Sequence, residues 1–148
     1  MSLGDTYQQG LNDAARGLVN KGYFVAVAAG NDGRDASGYS PASESSVCTV
    51  AGSDINDRNY RDSNYGRVVD IIGPAVDVLS TWPNGKTARL TGTSMATPHI
   101  AGLAAYLAAK EGVKASPQSC DRIRELATKN AITGFGSSTV NLLAYNGQ

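Results

Sequence analysis

Between residues 5 and 21, apolar side chains fall at Leu11, Ala14, Ala15, Leu18 and Val19. Spacings of three and four predict an amphipathic helix, and Gly22 follows as its stop. The pattern then changes. YFVAVAAGN, 23–31, is a continuous apolar run with β-branched residues, as expected of a strand covered on both faces in a parallel sheet. Residues 32–46 are rich in Asp, Gly, Ser and Pro and predict a loop. VCTVAG, 47–52, and VVDIIG, 68–73, read as two more buried strands, separated by the polar, turn-rich DINDRNYRDSNYG. Within that segment RDSNYGR, 61–67, reads as a solvated loop. VDVLST, 76–81, and TARLTG, 87–92, flank PNG at 83–85 and predict a hairpin. An apolar run from about Met95 to Lys110 predicts a long buried helix. PQSCDRIRELATKNA, 117–131, predicts a last helix with Ser116 as N-cap and Pro117 in the first helical position. Buried strands alternating with helices argue for an α/β fold.

Composition narrows the function classes. A length of 148 residues suits one domain. Apolar residues at 41% and charged residues at 18% fit a globular chain rather than a disordered one. Thirteen basic residues balance thirteen acidic ones, which removes the charge argument for nucleic acid or an anionic membrane as a partner. No apolar stretch is long enough to span a bilayer. The first twenty residues lack the basic and apolar regions of a signal peptide. The two cysteines, Cys48 and Cys120, are too few for a structural zinc site; one bridge or two buried thiols both remain open.

Chemistry concentrates in LTGTSMATPHIAGLAAYLAAK, 90–110. Pro98 has no N–H to offer the carbonyl of Ser94, four residues back. Ser94 therefore belongs near the helix N-terminus, where unpaired amides and the helix dipole favour developing negative charge. Such a serine is either a cap or a nucleophile. A nucleophilic serine needs an adjacent base. His99 is the only histidine in the chain, and five residues along a helix carry it about 140° beyond a full turn with a rise of about 7.5 Å. It faces away from Ser94 and reads as a buried, structural histidine. The sequence by itself holds no complete triad.

Ordered blocks across the chain carry a family resemblance. GTSMATPHIAGLAAYL, 92–107, resembles the serine segment of the subtilisin-like serine proteases, and VAVAAGND, 25–32, resembles their oxyanion-asparagine segment. YSPASESSVCTVAGSD, 39–54, SNYGRVVDIIGPAVDVLSTW, 63–82, and TVNLLAYN, 139–146, resemble the proteinase K branch. The resemblance implies a subtilisin-like three-layer α/β fold with a mostly parallel sheet, with residues 1–148 as the C-terminal half of a catalytic domain. It implies a serine endopeptidase acting on polypeptide substrates, secreted and extracellular, with no organic cofactor. Ser94 matches the nucleophile, and Asn31 the side-chain donor of the oxyanion hole. Ser2, Leu3 and Gly4 match the segment that pairs with extended substrate. Ala28, Ala29 and Gly30 match the wall of the pocket for the residue before the scissile bond. Asp70, with the carbonyls of Ser45 and Val47, matches a structural calcium site. Cys48 and Cys120 match a disulfide.

The chain also departs from the family pattern. Asp5 follows Gly4 where a second glycine is frequent, and Ser45 stands where the branch often has proline. The family's aspartate segment (Asp-Ser/Thr-Gly) and histidine segment (His-Gly-Thr-like) do not occur. The resemblance therefore implies that the catalytic aspartate and histidine come from an N-terminal half, which becomes a partner of this chain. The competing expectation is a catalytically inactive truncated product, at most a peptide-binding module. A nucleotide-binding reading of AAGNDG has the wrong glycine spacing. Half a sheet would also leave an edge strand and an apolar face bare, so the isolated chain is expected to be aggregation-prone or loosely packed.

Overall fold

The apolar run at 23–31 does enter the central sheet, but only its middle pairs. A computed structural model describes all of residues 1–148. In chain order it contains β1 (Asp5–Thr6), α1 (Gln9–Asn20), β2 (Ala26–Ala28), a 3-10 turn (Ala36–Gly38), β3 (Tyr39–Ser40), β4 (Cys48–Ser53) and β5 (Ile71–Pro74). The second half contains β6 (Val78–Trp82), β7 (Lys86–Leu90), α2 (Thr93–Glu111), α3 (Ser119–Leu126), β8 (Thr128–Lys129) and β9 (Leu142–Leu143).

The main sheet has the order β2-β4-β5-β9-β8. Its first three pairings are parallel, and β8 joins β9 antiparallel. Strand alternation sends side chains to two cores. Ala26, Val50 and Ile71 face Ala96, Ile100, Ala104 and Leu107 of α2 and Ile123 of α3. On the opposite face Ala51 and Ile72 pack with Ala29, Val69 and Ile132, and Val25, Val27 and Val47 pack with Ala15 of α1. Helices thus cover both faces, giving the α/β fold that the pattern predicts, in the three-layer form that the resemblance implies. Fully burying a side chain such as Ile71, Ile72 or Ile100 contributes about 1.5–3 kcal/mol each. β6 and β7 form the expected antiparallel hairpin.

Several sequence expectations shift for local reasons. The first helix starts at Gln9, not residue 5, because Asp5 and Thr6 pair antiparallel with Ser40 and Tyr39. The last helix is shorter than 117–131. Ser116 and Pro117 accept amides in a preceding turn, the N-cap position is Gln118, and the chain leaves the helix at Ala127. Thr128 and Lys129 then pair with β9, so sheet pairing overrides helix periodicity. The segment 61–67 is not simply solvated, since Ser63 and Asn64 are buried. Finally, α2 is buried on one face only. Ala101, Gly102, Ala105 and Tyr106 lie exposed on the other, and Leu79, Trp82 and Leu90 of the hairpin are exposed as well.

Cys48 at the start of β4 and Cys120 in α3 form a disulfide with Cα atoms 5.7 Å apart. No helix is long and apolar enough to cross a membrane.

Candidate active site

α2 begins immediately after Gly92, whose φ of 151° lies in a region that favours glycine. A side chain there would approach Asn31 Oδ1 within 3.4 Å. The Thr93 amide donates to Asn31 Oδ1 at 2.8 Å, and the Thr93 hydroxyl donates to the same oxygen at 3.1 Å. A backbone N–H can only donate, so the oxygen of the Asn31 amide must face it. The Nδ2 hydrogens are therefore left over, and no protein acceptor takes them. The Ser94 amide lies in the first turn of α2 and has no intrahelical acceptor either. Two unpaired donors thus belong to residues that line one cleft with Ser94.

Pro98 lies further into α2 than the first turn, and the vacancy it creates is used. The Ser94 carbonyl, deprived of the usual amide four residues on, accepts the Ser2 hydroxyl at 2.8 Å. In return the Ser94 hydroxyl reaches the Ser2 carbonyl at 3.4 Å, long for an O–H···O bond. The proline fixes the segment 1–4 against the head of α2 while leaving the Ser94 oxygen weakly engaged. Met1 extends this contact along β2, where its carbonyl accepts the Ala28 amide at 3.2 Å.

His99 does not meet Ser94. Its Nδ1 bonds the Met95 carbonyl at 2.8 Å, and because a carbonyl only accepts, Nδ1 carries the hydrogen. The ring is exposed rather than buried as expected. It lines a shallow depression of about 450 Å³ with Met95, Pro98 and the β6 residues Val78–Ser80.

The loop that presents Asn31 hangs on a residue that sequence reasoning missed. Asn64 is fully buried. Its Oδ1 accepts the amides of Asp32 and Arg34, both at 3.0 Å, and its Nδ2 donates to the Ala29 carbonyl at 2.9 Å. Gly30 adopts φ 106°, and a Cβ there would stand 2.3 Å from Asn64 Nδ2. Only glycine lets the two segments approach this closely. The buried Thr93, which ties Asn31 to α2 and also accepts the Gly30 amide at 3.2 Å, was equally invisible in the sequence.

Leu3, Gly4, Ala28, Ala29, Gly30, Asn31 and Ser94 line one cleft of about 530 Å³, and Ser2 adjoins it through Ser94. Asp5 also lines the cleft. Its carboxylate is occupied by the Thr6 amide at 2.7 Å and by Gln8 Nε2 at 3.2 Å.

Asp70 lies elsewhere, beside the disulfide. Asp70 Oδ2 accepts the Thr49 amide at 2.8 Å, and its Oδ1 lies 3.9 Å from Arg124 Nη1. Burial pushes the Asp70 carboxyl above its ordinary range, against the Thr49 hydrogen bond and the Arg124 charge; Asp121 adds to the upward shift. Ser45 and Val47 belong to a loop that Glu44 holds. Glu44 Oε1 accepts the Ser46 amide and hydroxyl, and Oε2 pairs with Arg16. Burial alone would raise the Glu44 carboxyl; the bonds from Arg16 and Ser46 outweigh it and hold the group below the usual range. No backbone amide donates to the Ser45 or Val47 carbonyl. The sulfurs of Cys48 and Cys120 lie close to the Asp70 carboxylate, but they are bonded to each other. Hard oxygens alone are left as donors, which suits calcium better than a soft metal.

Comparison with known proteins bears on the family and the fold. The chain is 58% identical over 147 residues to the cuticle-degrading protease of Metarhizium anisopliae, covering 99% of this chain and 38% of that protein. It is 51% identical over 146 residues to proteinase R of Parengyodontium album, again covering 99% of this chain and 38% of that protein. The crystal structure of a cold adapted subtilisin-like serine proteinase superposes with a TM-score of 0.93 at 34% identity, covering 99% of this chain and 53% of that one. The chain thus spans less than two fifths of the length of these curated relatives. The family model for subtilases, peptidase family S8, matches residues 1–146, and the chain belongs to the subtilase family.

Proposed function

We propose that this chain is the C-terminal half of the catalytic domain of a subtilisin-like serine endopeptidase, and that it hydrolyses peptide bonds once a catalytic aspartate and histidine are supplied by an N-terminal half. One observation carries the reading: Asn31 is fixed by its oxygen to the Thr93 amide, which leaves its Nδ2 donors without a protein acceptor in the cleft that Ser94 also lines. In the proposed reaction the Ser94 oxygen attacks the substrate carbonyl carbon while its proton passes to the histidine of the other half. Asn31 Nδ2 and the Ser94 amide donate to the resulting oxyanion. The carbon–nitrogen bond breaks as the histidine returns the proton to the leaving amine. Water, deprotonated by the same histidine, then releases the acyl group from Ser94.

Substrate would lie extended against Ser2, Leu3 and Gly4 as an added strand. Its side chain before the scissile bond would enter beside Ala28, Ala29 and Gly30, where small residues leave room. Asp70 with the Ser45 and Val47 carbonyls would hold a calcium ion that braces the loop before β4. The disulfide supports an oxidising, extracellular setting, and nothing in the charge balance favours nucleic acid or membrane.

The second reading is a catalytically inactive product that at most binds peptides. His99, turned to Met95, favours it for the chain alone. A chromogenic peptide and a serine-directed phosphonate, applied with and without the N-terminal half, separate the two. Labelling of Ser94 and turnover are expected only in the complemented sample. No labelling in either sample would favour the inactive product.

A further inference from the structure

The start of β4, the approach to β5 and the helix α3 meet around one carboxylate, and a cation of the protein's own stands beside it. We propose that Arg124 is a built-in competitor for a divalent cation at Asp70, so that calcium binds this chain only by displacing the guanidinium. The inference rests on the calcium reading given above and is independent of the peptidase chemistry.

Cys120 and Arg124 are four residues apart on α3 and share a face. Cys120 is bonded to Cys48, the neighbour of Val47. The disulfide therefore carries Arg124 to the side of the domain where Asp70 lies against the start of β4. There the guanidinium stands between two carboxylates without closing on either. Nη1 is 3.9 Å from Asp70 Oδ1 and 3.6 Å from Asp121 Oδ1, both beyond the usual hydrogen-bond range. Its Nε is buried and has no acceptor. A side chain so weakly engaged can turn wholly to the exposed Asp121 at little cost, which vacates Asp70. The loop that carries Ser45 and Val47 is itself held, because Glu44 accepts the Ser46 amide and hydroxyl and pairs with Arg16. A divalent ion and a guanidinium on one carboxylate repel each other, so each weakens the binding of the other.

Terbium luminescence and calorimetric calcium titration of the full chain test this in wild type and Arg124→Gln, which keeps the side chain's packing. Asp70→Asn serves as the control. Arg124→Gln is expected to bind calcium roughly threefold to tenfold more tightly than wild type. It should melt below wild type in EDTA and gain more than wild type when calcium is added. Arg124→Ala should follow the same order. Equal affinity in wild type and both variants would overturn the proposal. Failure of every protein to bind either ion would overturn both it and the calcium reading, leaving the peptidase reading standing.

Discussion

Asn31 has a single amide group with two separate uses, and the division between them sets what its loss should cost. The oxygen anchors Thr93 and so ties the loop to α2; the nitrogen has no acceptor within the protein. In the complemented enzyme, Asn31→Ala should lower kcat by about 10²–10³ with little change in KM, because the lost donor acts on charge that develops only in the transition state. Steady-state kinetics on one peptide would separate that result from a binding defect. Asn64 acts one step back. Asn64→Ala strands the Asp32 and Arg34 amides and the Ala29 carbonyl without their partner. A buried group left unsatisfied costs about 1–3 kcal/mol, so a loss of roughly 3 kcal/mol or more is expected in the complemented protein, read as a lower urea midpoint at unchanged slope. That Asn31 would share a cleft with Ser94 was legible in the sequence, because it sits inside a short familiar block. Asn64 was not, because its partners lie more than thirty residues away and its own neighbourhood, RDSNYGR, is polar enough to pass for a solvated loop.

At the scale of elements, α2 matters through its one irregular residue as much as through its apolar face. Pro98 empties the Ser94 carbonyl for Ser2. Pro98→Ala would return an amide donor to that carbonyl and set it in competition with the Ser2 hydroxyl. The helix should gain stability while the 1–4 segment loosens. A raised Tm together with a KM several-fold higher is the expected pair of results, since one hydrogen bond is worth about 1 kcal/mol net. The disulfide acts on a larger loop. It spans 72 residues, and its removal in Cys48→Ala/Cys120→Ala should cost roughly 4 kcal/mol by the chain-entropy estimate, measured by denaturant unfolding. The sequence foretold the middles of the buried strands and of α2, where apolar runs need no partner to be recognised. It misjudged their ends. Asp5–Thr6 and Thr128–Lys129 are drawn into sheets by residues 39–40 and 142–143, a choice no local window contains.

For the whole molecule, the decisive feature is where the apolar surface goes. The sequence gives α2 an apolar character almost all the way round, and a helix of that kind is normally covered on every side. Here one side meets the sheet and the other presents Ala101, Gly102, Ala105 and Tyr106 to solvent. Trp82, Leu79 and Leu90 are exposed on the hairpin, and a second depression of about 350 Å³ near Tyr23, Phe24 and Ala101 is lined entirely by apolar residues. β2 ends the five-stranded sheet with only the short Met1 contact on its outer edge. Open edges and apolar patches of this kind drive association when nothing covers them. Alone, the chain should therefore self-associate and bind a hydrophobic dye such as ANS; sedimentation velocity across a tenfold concentration range would report the association. With the N-terminal half added, both signals should fall as a one-to-one complex forms, and melting should become a single cooperative transition. A chain that stays monomeric, ignores the dye and melts sharply by itself would mean that these faces are tolerated in water, and the argument for an obligatory covering partner would fail with them.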